Sequence, residues 1–564
     1  MPKRLHTVLT RLAVVLSLVS CASWAAAQGA PPEEVRKAQA LLQGKDYDGA
    51  IRILEEFTRK NPTRWGALNM LGGAYQQKGE LEKAIEVFQR VTQSPQLKPQ
   101  ALYSLAVAHA LRNDREAAFK YLRLTRETGG FDMEQALTDD NLKALRGDAR
   151  LARLIPAPEE FVEPFVEKVR VIHEWVGEAK GGQFGWIARR VGDVDGDRVS
   201  DFTTSAPTYP VQGQPAGRVY VYSSKTGKLL WAQTGEPGAQ LGMGVEAAGD
   251  ANADGVPDVI AGAPGAGKAF VYSGRDGKLL LTLGRGDRDE AFGGSVATAG
   301  DVNGDGHADL IVGASSGGAA GQGAGRAYVY SGKDGSPLVT LSGEQAGDAY
   351  GSAVGGYKGR KNSLLIVGAP GAGPRRSGRV YVYEAPSGKP KFVFDSDETG
   401  AAFGGMFLSV VGDTDGDKTP DIYVSDWSNN AKGTSTGRFY VYSGADGKLL
   451  QTQTGEAAGE GFGIGVADSG DLDRDGHDDI IVGAWRHSSA AEAGGRVYVF
   501  SGKDGKLLQA ITCRIPGDTF GFDTTNVGDV DGDGRPDFLL TSAWSGIKGF
   551  RSGRVFIVSG SAMK

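Results

Sequence analysis

From residue 184 onward the chain repeats one frame seven times, and that repetition limits the fold more than any other feature. Each unit opens with an aromatic or apolar residue followed by glycine: Phe184-Gly185, Leu241-Gly242, Phe292-Gly293, Tyr350-Gly351, Phe403-Gly404, Phe462-Gly463 and Phe520-Gly521. Successive units begin 51 to 59 residues apart. An aspartate-rich loop then leads into an apolar run that ends in a small-residue tripeptide, such as GAP (262–264) or GAW (483–485). A second run follows, GRVYVYS (217–223) in the first unit, and then a DG-type turn and a third run, as in GKDGKLLQA (502–510). Alternating β-branched and aromatic residues between glycine turns predict short antiparallel strands. The chain holds 86 glycines in 564 residues, about twice the usual share, as so many tight turns require.

Seven units of about four strands each predict a seven-bladed β-propeller. The seventh unit reaches Lys564 without an outer strand, while VRVIHEWVGEAKGGQFG (169–185) aligns with GKLLQTQTGEAAGEGFG (447–463). Strand 169–177 is therefore expected to complete the last blade and close the ring, since an open ring leaves an unpaired edge.

Six units carry the aspartate loop: DVDGDRVSD (193–201), DANADGVPD (250–258), DVNGDGHAD (301–309), DTDGDKTPD (413–421), DLDRDGHDD (471–479) and DVDGDGRPD (529–537). Positions 1, 3, 5 and 9 are always Asp or Asn. Converging oxygens without imidazole or thiolate point to a hard cation, and the flexible ligand number favours Ca²⁺ over Mg²⁺. The expected ligands are Asp193, Asp195, Asp197 and Asp201; Asp250, Asn252, Asp254 and Asp258; and Asp301, Asn303, Asp305 and Asp309. In the later units they are Asp413, Asp415, Asp417 and Asp421; Asp471, Asp473, Asp475 and Asp479; and Asp529, Asp531, Asp533 and Asp537. Position 7 is expected to add a backbone carbonyl, from Val199, Val256, His307, Thr419, His477 and Arg535. An EF-hand is excluded, because position 12 is Thr204, Ala261, Val312, Val424, Val482 or Leu540 in place of the bidentate glutamate. Position 6 is glycine in four loops, consistent with a left-handed turn, but Arg198 and Lys418 occupy it in two, where weaker binding is expected. The fourth unit has lost the site, and Lys358, Arg360 and Lys361 lie in its place as candidate substitutes for the cation. Six structural ions are expected to tie the turns together, each adding about 2.7 kcal/mol at a hundredfold excess over its dissociation constant.

This frame resembles the FG-GAP repeats of the integrin α-chain propeller across residues 169–564. The resemblance implies adhesion or envelope scaffolding. Nothing in the chain matches an inserted metal-dependent ligand domain, so integrin-type ligand binding does not carry over.

Residues 31–156 carry a different, helical period of 34 residues: Leu71, Gly72, Tyr75, Ala84 and Phe88 in the central copy, Ala38, Leu41, Ala50 and Leu54 before it, Leu105, Ala106, Ala118 and Leu122 after it. This resembles the tetratricopeptide repeat, whose paired helices form a groove for a peptide or partner helix. DDNLKALRGDARLARLI (139–155) is expected to form a capping helix, and the proline- and acid-rich residues 157–168 a linker. The fold class is thus an all-α repeat domain followed by an all-β seven-bladed propeller.

Lys3, Arg4 and Arg11 precede the apolar run LAVVLSLV (12–19), which is too short to span a bilayer. Two readings stay open: a signal peptide cleaved after Ala27, or a lipoprotein signal with Cys21 as the lipidated residue. Both imply export to the periplasm, cell surface or medium, with membrane attachment only through Cys21. Removing residues 1–27 takes three cations from a formal charge of −6 and leaves −9, which offers no footprint for nucleic acid. The other cysteine, Cys513, is expected to be a packing residue.

The leading functional reading is a non-catalytic, calcium-stabilised binding protein with a protein partner. An enzyme acting on polysaccharide or lipid in the propeller channel is the alternative, because similar repeats accompany catalytic parts in glycosylphosphatidylinositol-specific phospholipase D and in polysaccharide lyases. No GxSxG, HExxH, P-loop or kinase signature is present. A third reading places a glycan on Trp427, Trp485 and Trp544, against the simpler expectation that they pack between blades. The tripeptide Arg285-Gly286-Asp287 is read as a chance occurrence.

Overall fold

The computed structural model describes residues 32–284, 290–318, 320–358, 363–385, 387–396, 398 and 402–561. Residues 1–31, with the expected signal and Cys21, lie outside the described residues, as do Arg285-Gly286-Asp287, Arg360, Lys361 and the side chain of Lys358.

Three helical hairpins come first: α1 (Glu33–Gln43) with α2 (Tyr47–Lys60), α3 (Trp65–Lys78) with α4 (Leu81–Val91), and α5 (Lys98–Leu111) with α6 (Arg115–Glu127). The 34-residue period has a direct packing cause. Ala50, Ala84 and Ala118 are fully buried at equivalent points, where only a small side chain lets neighbouring helices approach. Gly72 lies against the ring of Phe88 for the same reason. The first helix of each pair ends in a left-handed residue, Lys45, Gly79 or Asn113, with φ of 61°, 84° and 60°. The capping segment differs from the single helix expected. It forms a 3₁₀ turn at Asp140–Leu145 and a separate short helix at Ala149–Ala152, because Asp148 caps the second piece through the Arg150 N–H and so ends the first.

Residues 157–168 run packed against the propeller. Phe161 and Phe165 are buried among Phe520, Phe538 and Phe556, with the Phe165 ring 4.9 Å from that of Phe520. The Val166 N–H donates to the Thr512 carbonyl, and the Arg514 N–H to that of Pro164. Further contacts hold the helices to the same end of the ring: Arg486 donates to the Pro95 carbonyl at 3.0 Å, Lys98 pairs with Glu492 at 3.1 Å, and Lys180 with Asp132 at 2.8 Å.

Seven four-stranded antiparallel sheets form the propeller. Their innermost strands are Ala188–Gly192, Val245–Gly249, Phe292–Gly300, Ala353–Lys358, Leu408–Val410, Phe462–Gly470 and Thr524–Gly528, each touching the next around the axis and the last touching the first. The outermost strand of the seventh sheet is Val171–Val176, paired antiparallel with Arg554–Val558. The apolar–glycine and GAP signatures meet between blades. A Cβ at Gly262, Gly313, Gly368 or Gly483 would overlap the carbonyl oxygen of Gly293, Gly351, Gly404 or Gly521 in the following blade. Those four partners have φ between 69° and 86°. Blade spacing is thus fixed by backbone-to-backbone contact. Replacing Gly483 by Ala should force the sixth and seventh blades apart, and a thermal melt should show a loss of about 1–3 kcal/mol.

Candidate metal centres

Each aspartate loop joins the innermost strand of its blade to the second strand, and position 9 stands at the head of that second strand. Asp201, Asp258, Asp309, Asp421, Asp479 and Asp537 are all fully buried. One carboxylate oxygen of each accepts the N–H of loop position 2, at 2.7–3.0 Å, from Val194, Ala251, Val302, Thr414, Leu472 and Val530. The other accepts an N–H just beyond the third strand, from Ser224, Gly274, Gly332, Gly444, Gly502 and Gly560, at 3.0–3.2 Å. Position 9 therefore ties the loop to the outer part of its own blade.

Positions 1, 3 and 5 shape the loop. Asp193 accepts the N–H groups of Gly196, Asp197 and Arg198, and Asp301, Asp413 and Asp529 accept the corresponding three. Asp250 and Asp471 accept those of positions 5 and 6. Position 3 (Asp195, Asn252, Asn303, Asp415, Asp473 or Asp531) accepts the N–H of position 5. Position 5 (Asp197, Asp254, Asp305, Asp417, Asp475 or Asp533) in turn accepts the N–H of Val199, Val256, His307, Thr419, His477 or Arg535. These bonds engage both oxygens of position 1 and one oxygen each of positions 3 and 5, and so fold the loop around its carboxylates.

Four loops bring three carboxylates together with ligand oxygens within 4.8 Å of one another: Asp193, Asp195 and Asp197; Asp413, Asp415 and Asp421; Asp471, Asp473 and Asp479; and Asp529, Asp531 and Asp537. Like charges this close need a counter-charge, and the donor set fits a hard cation. In the first loop Asp197 Oδ2 is buried without a hydrogen-bond partner, a position a cation would satisfy. The second and third loops carry one carboxylate fewer, and the Asn252 and Asn303 amides donate to Asp254 and Asp305 at 3.1 and 3.2 Å. In the seventh, Arg170 also pairs with Asp531 at 2.7 Å.

Three features of these loops escape sequence reading. Position 4 is left-handed as well as position 6, even where it is Ala253 (φ 58°) or Arg474 (φ 66°). Arg198 and Lys418 both adopt φ of 70°, so the loop keeps its shape at some backbone cost. Finally, the imidazoles of His307 and His477 reach across to the carbonyls of Ala251 and Thr414 in the preceding blade's loop, with Nδ1 as the donor, at 2.7 and 3.0 Å. Position 7 thus joins neighbouring loops. A hydrogen-bonding side chain there was the available signal.

At the axis, Arg189 of the first blade pairs with Glu246 of the second at 3.0 Å and with Asp523 of the seventh. Asp523 also accepts the Ala188 and Thr524 N–H groups. At the mouth opposite the loops, Trp186 and Phe407 pack with Phe522, and Trp485 is buried edge-on to Trp544 at 4.9 Å. Trp427 and Trp544 are half-buried in the same cluster, so the three tryptophans serve packing here. Cys513 is buried beside Phe165.

Comparison with known families agrees with this architecture. The FG-GAP repeat model matches residues 190–222 and 292–330, the FG-GAP-like repeat model residues 413–482 and 471–540, and a tetratricopeptide repeat model residues 35–99. Phosphatidylinositol-glycan-specific phospholipase D from Bos taurus is 29% identical over 390 residues, covering 57% of this chain and 46% of that protein. The Homo sapiens protein of that name is 28% identical over 397 residues, covering 58% and 46%. Integrin alpha-2 from Bos taurus is 33% identical over 166 residues, covering 26% and 14%. The chain thus spans less than half the length of these curated relatives. Among the described residues no helix is long and apolar enough to cross a membrane.

Two predictions follow from the loop geometry. Without metal, burial pushes the Asp201 carboxyl up to about 7 and those of Asp258, Asp421, Asp479 and Asp537 to about 6, and also raises that of Asp309. The folded chain then holds more protons than the unfolded chain between the ordinary carboxyl value of about 4 and those raised values. Stability of the metal-free protein should therefore fall as pH rises through this window, and a melt near pH 5 should exceed one near pH 8. Added Ca²⁺ should raise the melt most at the higher pH. Separately, Arg198→Gly relieves a left-handed side chain while keeping the N–H bond to Asp193, and should add about 1 kcal/mol in chemical denaturation.

Proposed function

We propose that this chain, a β-propeller of FG-GAP repeats carrying N-terminal tetratricopeptide repeats, is an exported, non-catalytic scaffold that binds a protein partner. Ca²⁺ at up to six loops, held by the aspartates and asparagines described above, maintains the ring. The observation that carries this reading is the packing of Phe161 and Phe165 among propeller residues, which joins the two repeat modules. A cleft of about 500 Å³ lies in the helical stack, lined by Glu55, Arg59, Tyr75, Lys83, Glu86 and Arg90. Cation role and partner role are separable in one experiment. Envelope extract is passed over the immobilised chain in millimolar Ca²⁺, over the chain in excess chelator, and over a Lys83→Glu, Arg90→Glu variant. One defined protein retained by the parent and lost in both other arms supports the scaffold. Equal retention in all three contradicts it.

A second reading, an enzyme acting on lipid or polysaccharide, draws on the likeness to phosphatidylinositol-glycan-specific phospholipase D and on the axial carboxyls Glu246 and Asp523, which burial raises against the pull of Arg189. Turnover of a phosphatidylinositol-glycan substrate that disappears in Asp523→Asn while the fold survives would establish it instead.

A further inference from the structure

Neighbouring aspartate loops are hydrogen-bonded to each other at two places around the ring. In the third loop the Ala308 N–H donates to the Asp250 carbonyl at 2.9 Å, and the His307 ring to that of Ala251 at 2.7 Å. The sixth loop grips the fifth more closely. Asp478 donates its N–H to the Asp413 carbonyl and accepts the Asp413 N–H on Oδ2, both at 2.9 Å. The His477 ring donates to the Thr414 carbonyl at 3.0 Å. These contacts are close as well as polar, since a Cβ at Gly249 or Gly412 would overlap Ala308 or Asp478. They also run between residues placed to hold the ions. Asp250 and Asp413 stand at position 1 of their loops, and Ala308 and Asp478 immediately precede the buried Asp309 and Asp479 at position 9. The backbone N–H groups of His307 and His477 bond to position 5 of their own loops, Asp305 and Asp475. Across the bridge, Ala251 and Thr414 donate to Asp258 and Asp421. Each bridge thus joins two candidate ligand sets through a single peptide or ring.

The remaining loops are built differently. Position 8 is Pro257, Pro420 or Pro536 in the second, fifth and seventh, and proline has no N–H to donate. Position 7 of the first and second loops is Val199 and Val256, without a side-chain donor. The sixth and seventh loops meet through Arg474, which reaches the Gly534 carbonyl at a long 3.4 Å. From this pattern we infer that the propeller takes up Ca²⁺ in two coupled pairs, the second loop with the third and the fifth with the sixth, while the first and seventh fill independently. The inference rests on the calcium reading of the loops. An ion in one loop fixes the peptides whose carbonyls and N–H groups its neighbour uses, so the neighbour loses less conformational freedom when it binds in turn. Within a pair the effect is reciprocal. Repulsion between two bound ions opposes it, but salt screens that repulsion more than it weakens a direct hydrogen bond. Two arcs of the ring, on either side of the fourth blade that has no aspartate loop, then become ordered as units.

The test is equilibrium dialysis of the full chain against a series of radioactive Ca²⁺ concentrations at about 0.15 M salt. Two single-site variants, D471A and D529A, remove position 1 of the sixth and seventh loops. D529A should lose one ion and leave the other affinities unchanged. D471A should lose one ion and weaken a second about tenfold, because the fifth loop has lost its bound neighbour. A third variant, H477R/D478P, gives the sixth loop the GRPD ending of the seventh and keeps each of its expected ligands. It should bind as many ions as the parent, and adding D471A to it should no longer weaken a second site. H307V/A308P, which gives the third loop the GVPD ending of the second, tests the other pair in the same way with D301A. Thermal melts in saturating Ca²⁺ check that each variant folds, and if either proline variant does not, the comparison of D471A with D529A decides alone. Loss of a single ion in both D471A and D529A, with all other affinities unchanged, would overturn the coupling and leave the calcium reading standing. So would a second site that D471A still weakens after H477R/D478P has removed the bridge. A parent chain that binds no Ca²⁺ would overturn both.

Discussion

A carboxylate hidden from solvent stands at the head of the second strand in six of the seven blades, and the order of each blade depends on it. Asp201 illustrates the constraint. It bonds at once to the Val194 N–H inside the loop and to the Ser224 N–H beyond the third strand, and so joins three of the four strands at one point. A buried charge of this kind is tolerable only with full hydrogen bonding or a nearby counter-charge. The loop supplies the first. In four loops three carboxylates converge, at positions 1, 3 and 5 in the first and 1, 3 and 9 in the others, and a hard cation there would offset the mutual repulsion of the aspartates.

The fourth blade shows the alternative. It passes from Ala353–Lys358 into Ser363–Ala369 without an aspartate loop, and Ala385 donates its N–H directly to the Ser363 carbonyl where the other blades use a side chain. Backbone bonding alone can therefore close that end of a blade. Around the ring, the glycine contacts set the spacing, and Arg189 links the first, second and seventh blades at the junction where chain ends meet.

Much of this was legible in the sequence because the determining contacts recur. Seven apolar–glycine pairs give the blade number, and three alanines 34 residues apart give the helical stack. Position 9 was visible as a repeated aspartate, though its burial was not. What remained hidden depends on contacts between distant segments that occur once. Phe161 and Phe165 sit in a stretch whose proline and acid content suggests a linker, yet their rings fill a gap between the last two blades. Arg189 and Asp523 are separated by most of the propeller and meet only because the ring closes. Ala253 and Arg474 conceal the left-handed fourth position, since neither residue type advertises it.

The central claim is that the aspartate loops are cation sites, and counting bound ions tests it most directly. Equilibrium dialysis of the metal-free chain against radioactive Ca²⁺ should saturate at more than four and at most six ions per chain, with the asparagine-containing second and third loops filling last. Saturation at no more than one ion, or binding undiminished when Asp195, Asp415, Asp473 and Asp531 are all replaced by Ala, would contradict it.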